Sequence, residues 1–364
     1  MFRFTRCCRS IPICIVVLLT ALGAVAQELP WHLGSLNATA SAAPSAINTY
    51  GAKPGAHEVV VAVIDSGVLS GHPSLAGQLL PGYDMLSPPL NLRGGRSADF
   101  SPDARDAKCG ERVTSGTFRT HGTEVASLIA GNGQDGVVGV NPTAKILPIR
   151  LFGSCPIARA DLLDAMAWAG GLAVHGVPAN PNPARIINLS FSGGKRVCGT
   201  DLQELVDRLA KKNVFVVAAV GNTFGKKLAE PANCQGVISV GAVDAENNIE
   251  SYSALDARTV IYAPGGGKEL TADTPWRNNK LKVASFDVNL KGEEAHLGVA
   301  RGVGTSYAAP LVSGFVSLLL SHKPEMTPAE FMNQLPQFSR SVPPTSKCQE
   351  CVPKGLTMRS GSLR

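Results

Sequence analysis

Apolar runs and helical repeats alternate along most of the chain. Residues 58–64 form an apolar run that ends in Asp65-Ser66-Gly67, the pattern of a buried parallel strand followed by a turn. Residues 121–131 place Val125, Leu128 and Ile129 on one helical face. The same patterns predict further strands at 144–152, 185–190, 213–219, 237–243 and 259–263, and helices at 161–173, 200–212, after Gly304 and from Thr327. We therefore predict an α/β fold of three layers, with a mostly parallel central sheet covered by helices on both faces.

The remaining stretches are predicted as loops or ends. Residues 70–118 are rich in Gly, Pro, Asp and Arg and indicate a surface loop, whereas a hairpin is expected around Leu281–Leu290. Residues 27–55 are an irregular lead-in, residues 56–340 the main domain, and residues 341–364 a C-terminal tail that resembles low-complexity sequence. The isolated histidines are predicted at the surface or at helix ends; they are His72, His175 and His322.

The first 26 residues have the pattern of an export signal. Three arginines precede an apolar stretch that ends in Ala24-Val25-Ala26, a cleavage motif before Gln27. No later segment is long and apolar enough to cross a bilayer. Loss of the three arginines lowers the formal charge from +6 to +3, which is too mild to indicate nucleic acid or an anionic membrane as a partner. The mature protein is expected in the periplasm or outside the cell.

Six cysteines remain after the predicted cleavage. An even number in an exported chain predicts three disulfides, although six cysteines allow 15 pairings. The Cys348-x-x-Cys351 pair lies in the Pro-containing tail without a strand before it or a helix after it, so we expect a local bond there rather than a redox motif. The six are Cys109, Cys155, Cys198, Cys234, Cys348 and Cys351.

Residues 304–310 (GTSYAAP) contain a serine at a predicted helix start. Thr305 is expected to cap the helix, with Ser306 and Pro310 in its first turn. Unpaired backbone N–H groups and the helix dipole at such a position favour negative charge, which suits a serine that is acylated through an oxyanion. On these residues alone, a simple cap that opens a buried helix is the favoured interpretation.

Three further polar side chains follow predicted element ends. Asp65 ends the strand 58–64, His121 opens the helix 121–131, and Asn222 follows the strand 213–219. Because functional groups gather at the carboxyl ends of parallel strands, we expect these groups to lie near Ser306. An acid, a histidine and a serine form a nucleophilic triad, and an amide can donate to the oxyanion.

Four segments resemble the signature blocks of the subtilisin-like serine peptidases (subtilases): residues 61–67 (VAVIDSG), 121–126 (HGTEVA), 218–222 (AAVGN) and 304–310. The resemblance implies a subtilisin-like fold and a secreted endopeptidase that works through an acyl-enzyme without a catalytic cofactor. Asp65, His121 and Ser306 would be the triad, and the side chain of Asn222 would donate to the oxyanion. It also implies protein or peptide substrates. The segments 189–194 and 218–222 would line a roomy, apolar pocket through Ser190, Phe191, Ser192, Gly193, Ala219 and Gly221.

In the positions of its cysteines, the chain most resembles the disulfide-bearing subtilases secreted by Gram-negative bacteria. That resemblance implies a bond between Cys198 and Cys234. For the other four we predict Cys109–Cys155 and Cys348–Cys351. Calcium sites are common in the family; a solvated loop is favoured over a metal site for the acidic candidates, which are Asp99, Asp103 and Asp106.

The sequence departs from the family pattern at three points. Glu124 stands where the family usually has a second histidine, and Tyr307 follows the predicted nucleophile. About thirty residues separate the predicted cleavage site from the domain, fewer than the usual propeptide. We therefore expect that folding assistance is dispensable, is supplied in trans by a folding helper or inhibitor, or has been lost. The protein is expected to be a monomer. The alternative is a catalytically silent binding protein on a subtilase fold.

Overall fold

The computed structural model describes residues 30–34, 47–88, 95–102, 117–152, 157–267, 280–287, 296–343, 345, 351 and 353–358. The predicted export signal, residues 1–26, lies outside them. The described strands are β1 (Val60–Asp65), β2 (Tyr83–Asp84), β3 (Lys145–Arg150), β4 (Ile186–Leu189), β5 (Phe215–Ala219), β6 (Val237–Val243), β7 (Ile261–Pro264), β8 (Leu281–Asp287), β9 (His296–Gly302), β10 (Ser339–Ser341) and β11 (Lys354–Leu356). The helices are α1 (Thr117–Ala130), α2 (Arg159–Ala169), α3 (Thr200–Lys211), α4 (Thr305–His322) and α5 (Pro328–Gln334).

Nine strands form one sheet in the order β10-β11-β7-β6-β5-β4-β1-β3-β2. Every described pairing in it is parallel except that of β10 with β11. Strands β8 and β9 form a separate antiparallel hairpin. Alternate residues of β1 face opposite layers: Val61 and Val63 belong to the core with α1 and α4, whereas Ala62 and Ile64 belong to the core with α2 and α3. This architecture confirms the predicted three-layer α/β fold.

Helix α4 runs through the larger core, and almost all of its residues are buried. Its buried serines have partners: the Ser313 hydroxyl donates to Asn188 Oδ1 at 2.9 Å, and the Ser317 hydroxyl accepts from the Asn141 amide at 3.0 Å. Buried polar groups are costly unless they are bonded, so these contacts orient the helix as well as stabilise it. None of the described helices has the length and hydropathy needed to cross a membrane.

Several predicted boundaries were wrong. Helix α1 begins at Thr117, four residues before the predicted start, and β8 takes up most of the segment expected to contain the hairpin turn. Helices α3 and α4 are both preceded by a glycine at the N-cap position without a side-chain cap, so neither Thr200 nor Thr305 caps its helix. The helix predicted from Thr327 is confirmed, and Thr327 and Glu330 form a capping box at its start.

The two predicted terminal segments contact each other and the sheet. Strand β11 pairs with β7, so the described part of the predicted tail is an integral part of the fold. The backbone N–H of Met358 donates to the carbonyl of Ile47 at 2.9 Å, and the Asn48 amide donates to Thr357 Oγ1 at 2.9 Å. Leu33 is also buried in the larger core. Both segments are therefore held by tertiary contacts that their local composition does not reveal.

His72 is buried rather than at the surface, and it lies at a helix end, as the N-cap of the short 3₁₀ helix Pro73–Leu75. Its Nδ1 accepts from the backbone N–H of Ser74, so Nε2 carries the proton and lies 3.1 Å from the carbonyl of Ser285 and 2.9 Å from that of Gly298. The imidazole thus joins the loop before β2 to both strands of the β8–β9 hairpin. His322 does lie at a helix end, and His175 is exposed.

The stability of the fold should depend on pH through His32. This imidazole is buried, neither of its nitrogens has a hydrogen-bond partner in the described structure, and burial lowers its pKa to about 3. In the unfolded chain His32 takes up a proton near pH 6.5, whereas in the folded chain it stays neutral down to about pH 3. Its contribution to the free energy of unfolding is therefore complete above pH 6.5 and is lost as the pH falls towards 3. We expect the free energy of unfolding to fall by about 1.4 kcal/mol per pH unit in this window because of this group.

The variant His32→Phe removes the titrating group and keeps a ring of similar size. Urea unfolding at pH 6.5 and 4.5 should show a weaker acid dependence for this variant than for its parent. The control His175→Phe changes an exposed histidine and should follow the parent. Equal acid dependence of His32→Phe and the parent would show that His32 is protonated or solvated in the folded protein.

Candidate active site

Buried Asp65 and partly buried His121 form a hydrogen-bonded pair. Asp65 is the last residue of β1, where the strand leaves the sheet, and its carboxylate accepts from the backbone N–H of Ser66 at 2.7 Å. His121 Nδ1 lies 2.8 Å from Asp65 Oδ1 and 3.0 Å from Oδ2. An ionised carboxylate only accepts, so Nδ1 carries the proton and Nε2 of the neutral ring is the free base. His121 lies in the second turn of α1 rather than at its start.

The surroundings of His121 favour its charged form. Burial lowers the pKa of the imidazole, but the charge of Asp65, the hydrogen bond to it and the charge of Glu124 outweigh burial and raise the pKa above its usual value. A positive charge on this ring is therefore stabilised by the protein. The arrangement can accept a proton from a nearby hydroxyl and hold it.

Ser306 lies in the first turn of α4, as predicted, and is partly exposed. Pro310 falls in the second turn rather than the first. Its missing N–H leaves the carbonyl of Ser306 without an intrahelical partner, and the Ser190 hydroxyl donates to that carbonyl at 2.8 Å. The backbone of Ser306 is thus anchored, whereas its own hydroxyl makes no hydrogen bond to another described residue. Catalytic hydrogen bonds often tighten only when a substrate binds.

The amide of Asn222 is oriented by Thr305, a residue to which the sequence assigned only a cap. Asn222 Oδ1 accepts from the backbone N–H of Thr305 at 3.0 Å and from its hydroxyl at 2.9 Å. Because the oxygen is engaged, the NH₂ group is the part left for a ligand in the cleft. Gly304 has a φ of +146°, and a Cβ there would lie 3.0 Å from Asn222 Nδ2, so glycine allows both the backbone turn and the close approach.

One cleft of about 200 Å³ brings most of these side chains together. Gly193, predicted to line the pocket, lies outside it, and its N–H donates to the carbonyl of Glu230. Phe152 was missed by the sequence reasoning; its ring packs edge-on against Phe191 with centroids 5.5 Å apart, so one wall is aromatic rather than open. The cleft is lined by His121, Phe152, Ser190, Phe191, Ser192, Ala219, Gly221, Asn222, Thr305 and Ser306.

The loop that follows β4 is held at its far end. Cys198 is bonded to Cys234, as the family resemblance implied. The buried carboxylate of Glu230 accepts from the backbone N–H groups of Lys195 and Gly199 and pairs with Arg159 at 2.8 Å. These contacts fix the segment after Phe191 and Ser192 and therefore one side of the cleft.

The other predicted cysteine and calcium sites lie largely outside the described residues. Cys351 is disulfide-bonded. Asp99 accepts from the backbone N–H and the hydroxyl of Ser101, and the described part of the chain contains no cluster of three or more metal-ligating side chains. The predicted residues not described are Cys109, Cys155, Cys348, Asp103 and Asp106.

The fold and the cleft together define an α/β protein in which an acid–histidine pair, a helix-start serine and an oriented amide share one site. Residues 56–340 match the model of the Subtilase family. The chain belongs to this family.

Relatives and solved structures agree with this assignment. The chain is 33% identical over 322 residues to an extracellular protease of Xanthomonas campestris pv. campestris. This match covers 86% of this chain and 52% of that protein. It is 35% identical over 275 residues to an extracellular basic protease of Dichelobacter nodosus, covering 72% and 43% respectively. The chain thus spans about half the length of these two relatives. A solved structure of a protease from Pseudoalteromonas arctica is 31% identical and superposes with a TM-score of 0.74, covering 92% of this chain and 95% of that one.

Proposed function

We propose that the protein is an exported serine endopeptidase, with Asp65, His121 and Ser306 as its catalytic triad. The observation that carries the proposal is the hydrogen bond between buried Asp65 and His121, which leaves Nε2 as a free base in the same cleft as Ser306. Export is supported by the signal pattern of residues 1–26 and by the disulfide between Cys198 and Cys234, a bond that persists in oxidising compartments.

In the acylation step, the hydroxyl of Ser306 attacks the carbonyl carbon of the scissile peptide bond and His121 Nε2 takes its proton. The imidazolium is stabilised by Asp65, which remains ionised. The oxyanion receives hydrogen bonds from the NH₂ group of Asn222 and the backbone N–H of Ser306, which lies at the positive end of α4. His121 then protonates the leaving amine, so the peptide bond breaks and an acyl-enzyme remains.

Deacylation repeats these roles with water. His121 takes a proton from the water molecule that attacks the ester, and returns it to Ser306 as the ester bond breaks. No cofactor is needed, since the protein groups supply the base, the acid and the oxyanion donors. The Phe152–Phe191 wall favours apolar side chains before the cleaved bond.

Labelling with a fluorophosphonate probe tests this function directly, because such probes react with a serine that a neighbouring base activates. The folded protein should be labelled, and peptide mapping should place the label on Ser306. A folded protein that stays unlabelled and cleaves no peptide in a mixed library would reject the endopeptidase in favour of the silent binding protein.

Replacing Asn222 by glycine should reduce kcat by about 10²–10³, the usual effect of deleting one oxyanion donor. The loss should fall on kcat rather than KM, because the oxyanion forms only along the reaction. Steady-state hydrolysis of a fluorogenic peptide measures both constants. The control Asn213→Gly alters an asparagine with a positive φ at the other end of β5 and should retain full activity. A loss of less than tenfold in Asn222→Gly would mean that a different group binds the oxyanion.

A further inference from the structure

Glu124 is a buried carboxylate one helical turn after His121 on α1, with 7% of its surface exposed. Its Oε1 accepts from the hydroxyl of Thr120 at 2.7 Å and from that of Ser285 at 2.8 Å, and its Oε2 accepts from the hydroxyl of Tyr307 at 2.5 Å. These donors belong to α1, β8 and α4, and none carries a charge. Within the described residues no salt bridge neutralises Glu124. A carboxylate buried in this way is stable only because several donors satisfy it.

Tyr307 connects this carboxylate to the imidazole. The ring of Tyr307 packs edge-on against that of His121, with centroids 5.9 Å apart and an interplanar angle of 68°. On another side it fills the space next to Gly302, where a Cβ would lie 2.3 Å from the ring. Burial raises the pKa of the Tyr307 hydroxyl, and the charge of Glu124 raises it further, so the hydroxyl keeps its proton and donates it to Glu124. The ring is therefore held on three sides.

Among the residues that the structure describes, few charged or titratable groups surround His121. Strand β1 contributes Asp65, helix α1 contributes Glu124, and helix α4 contributes Tyr307, which is neutral. The hairpin contributes the hydroxyl of Ser285, which does not titrate. Arg119, two residues before His121 on α1, lies on a different side of that helix. The imidazole thus has two carboxylates as neighbours, one in direct contact and one that acts through space.

We propose that Glu124 is a positioning residue that holds Tyr307 against His121 and supplies a second negative charge for the imidazolium formed during acylation. The inference rests on the proposed peptidase activity and assigns Glu124 a role beyond the triad. The charge makes His121 a stronger base, and the tether keeps the imidazole from tilting away from Ser306. The electrostatic effect requires a buried carboxylate at residue 124, and the tether requires in addition a hydroxyl at residue 307.

The charge is tested by Glu124→Gln, which keeps a carbonyl acceptor and removes the negative charge. Because only neutral His121 can act as the base, the acid limb of kcat/KM reports its pKa. This limb should move to lower pH by roughly half a unit or more, since a nearby opposite charge no longer favours the protonated ring. The control Glu204→Gln removes an exposed carboxylate on α3 and should leave the limb in place. An unchanged limb in Glu124→Gln would overturn the electrostatic part of the proposal.

The tether is tested by Tyr307→Phe, which keeps the ring and removes the hydroxyl that contacts Glu124. This variant conserves the apolar volume and is expected to fold even if Glu124→Gln does not. We expect kcat to fall about three- to tenfold, because the ring and the imidazole lose one anchor. The acid limb should stay within about 0.2 pH units, since Glu124 keeps its charge. A kcat equal to that of the wild type would overturn the positioning part.

Fluorophosphonate labelling separates the failure of this inference from that of the proposed function. If wild-type Ser306 is not labelled and no peptide is cleaved, the peptidase function fails. If the wild type is labelled and active while both variants match it in kcat and in the acid limb, only the role of Glu124 and Tyr307 is wrong. Thermal unfolding of each variant, monitored by circular dichroism, confirms that the compared proteins are folded.

Discussion

Replacing Ser306 by alanine should lower kcat for a peptide substrate by about 10⁶ and abolish fluorophosphonate labelling. The hydroxyl oxygen is the atom that would form the ester bond, and alanine has no atom in its place. The fold should be unaffected, since the backbone of Ser306 is anchored through its carbonyl by Ser190 and the Ser306 hydroxyl bonds to no other described residue. Fluorogenic peptide hydrolysis, with active-site titration of the wild type, measures the loss.

A matched control for this variant is Ser192→Ala, which removes another hydroxyl from the same cleft. It should retain labelling and keep kcat within about tenfold, because a pocket contact contributes far less than the nucleophile. Circular dichroism and urea unfolding should agree between Ser306→Ala and the wild type to within about 0.5 kcal/mol. If Ser306→Ala kept its label, the nucleophile would have to be a different residue.

The substitution Asp65→Asn should lower kcat by about 10⁴ near neutral pH. The carboxylate accepts from both Ser66 N–H and His121 Nδ1, whereas an asparagine has one acceptor oxygen and an NH₂ group. An NH₂ group next to His121 favours the tautomer with its proton on Nε2, which cannot accept the proton of Ser306. The lost charge also removes a cause of the raised His121 pKa, so the acid limb should move to lower pH.

Full pH–rate profiles of Asp65→Asn and the wild type check both effects. The control Asp207→Asn makes the same chemical replacement at an exposed carboxylate on α3 and should preserve the wild-type pH–rate profile. A decrease of less than about tenfold in Asp65→Asn would show that the imidazole is oriented by another group, and the assignment of Asp65 to the triad would fail.

Much of the fold could be predicted because its layers leave a periodic trace in the sequence. Strands buried on both faces appear as continuous apolar runs, and helices repeat every three or four residues, so β1, β6 and α5 were found at or near their observed bounds. The positions of Asp65, Asn222 and Ser306 at element ends followed from the same pattern. Their roles were implied by the family resemblance and remain proposals.

Other parts of the site depend on contacts between residues far apart in the chain. The Thr305 hydroxyl orients Asn222 across 83 positions, and Ser285 reaches Glu124 across 161. Phe152 faces Phe191 only because β3 and β4 flank β1 in the sheet. A polar residue has the same local pattern whether it faces solvent or a buried partner, so no sequence signal marks the two polar pairs.

The sequence by itself determined the alternation of strands and helices and the presence of an acid, a histidine, an amide and a serine at element ends. Local backbone preference and hydrophobic periodicity are sufficient for that. Only the tertiary structure decided that the predicted tail joins the sheet through β11, that His72 is buried under the hairpin, and that Glu124 and Tyr307 lie against His121. These outcomes depend on which distant surfaces pack together and on the need to satisfy every buried polar group, and both are set by the whole fold.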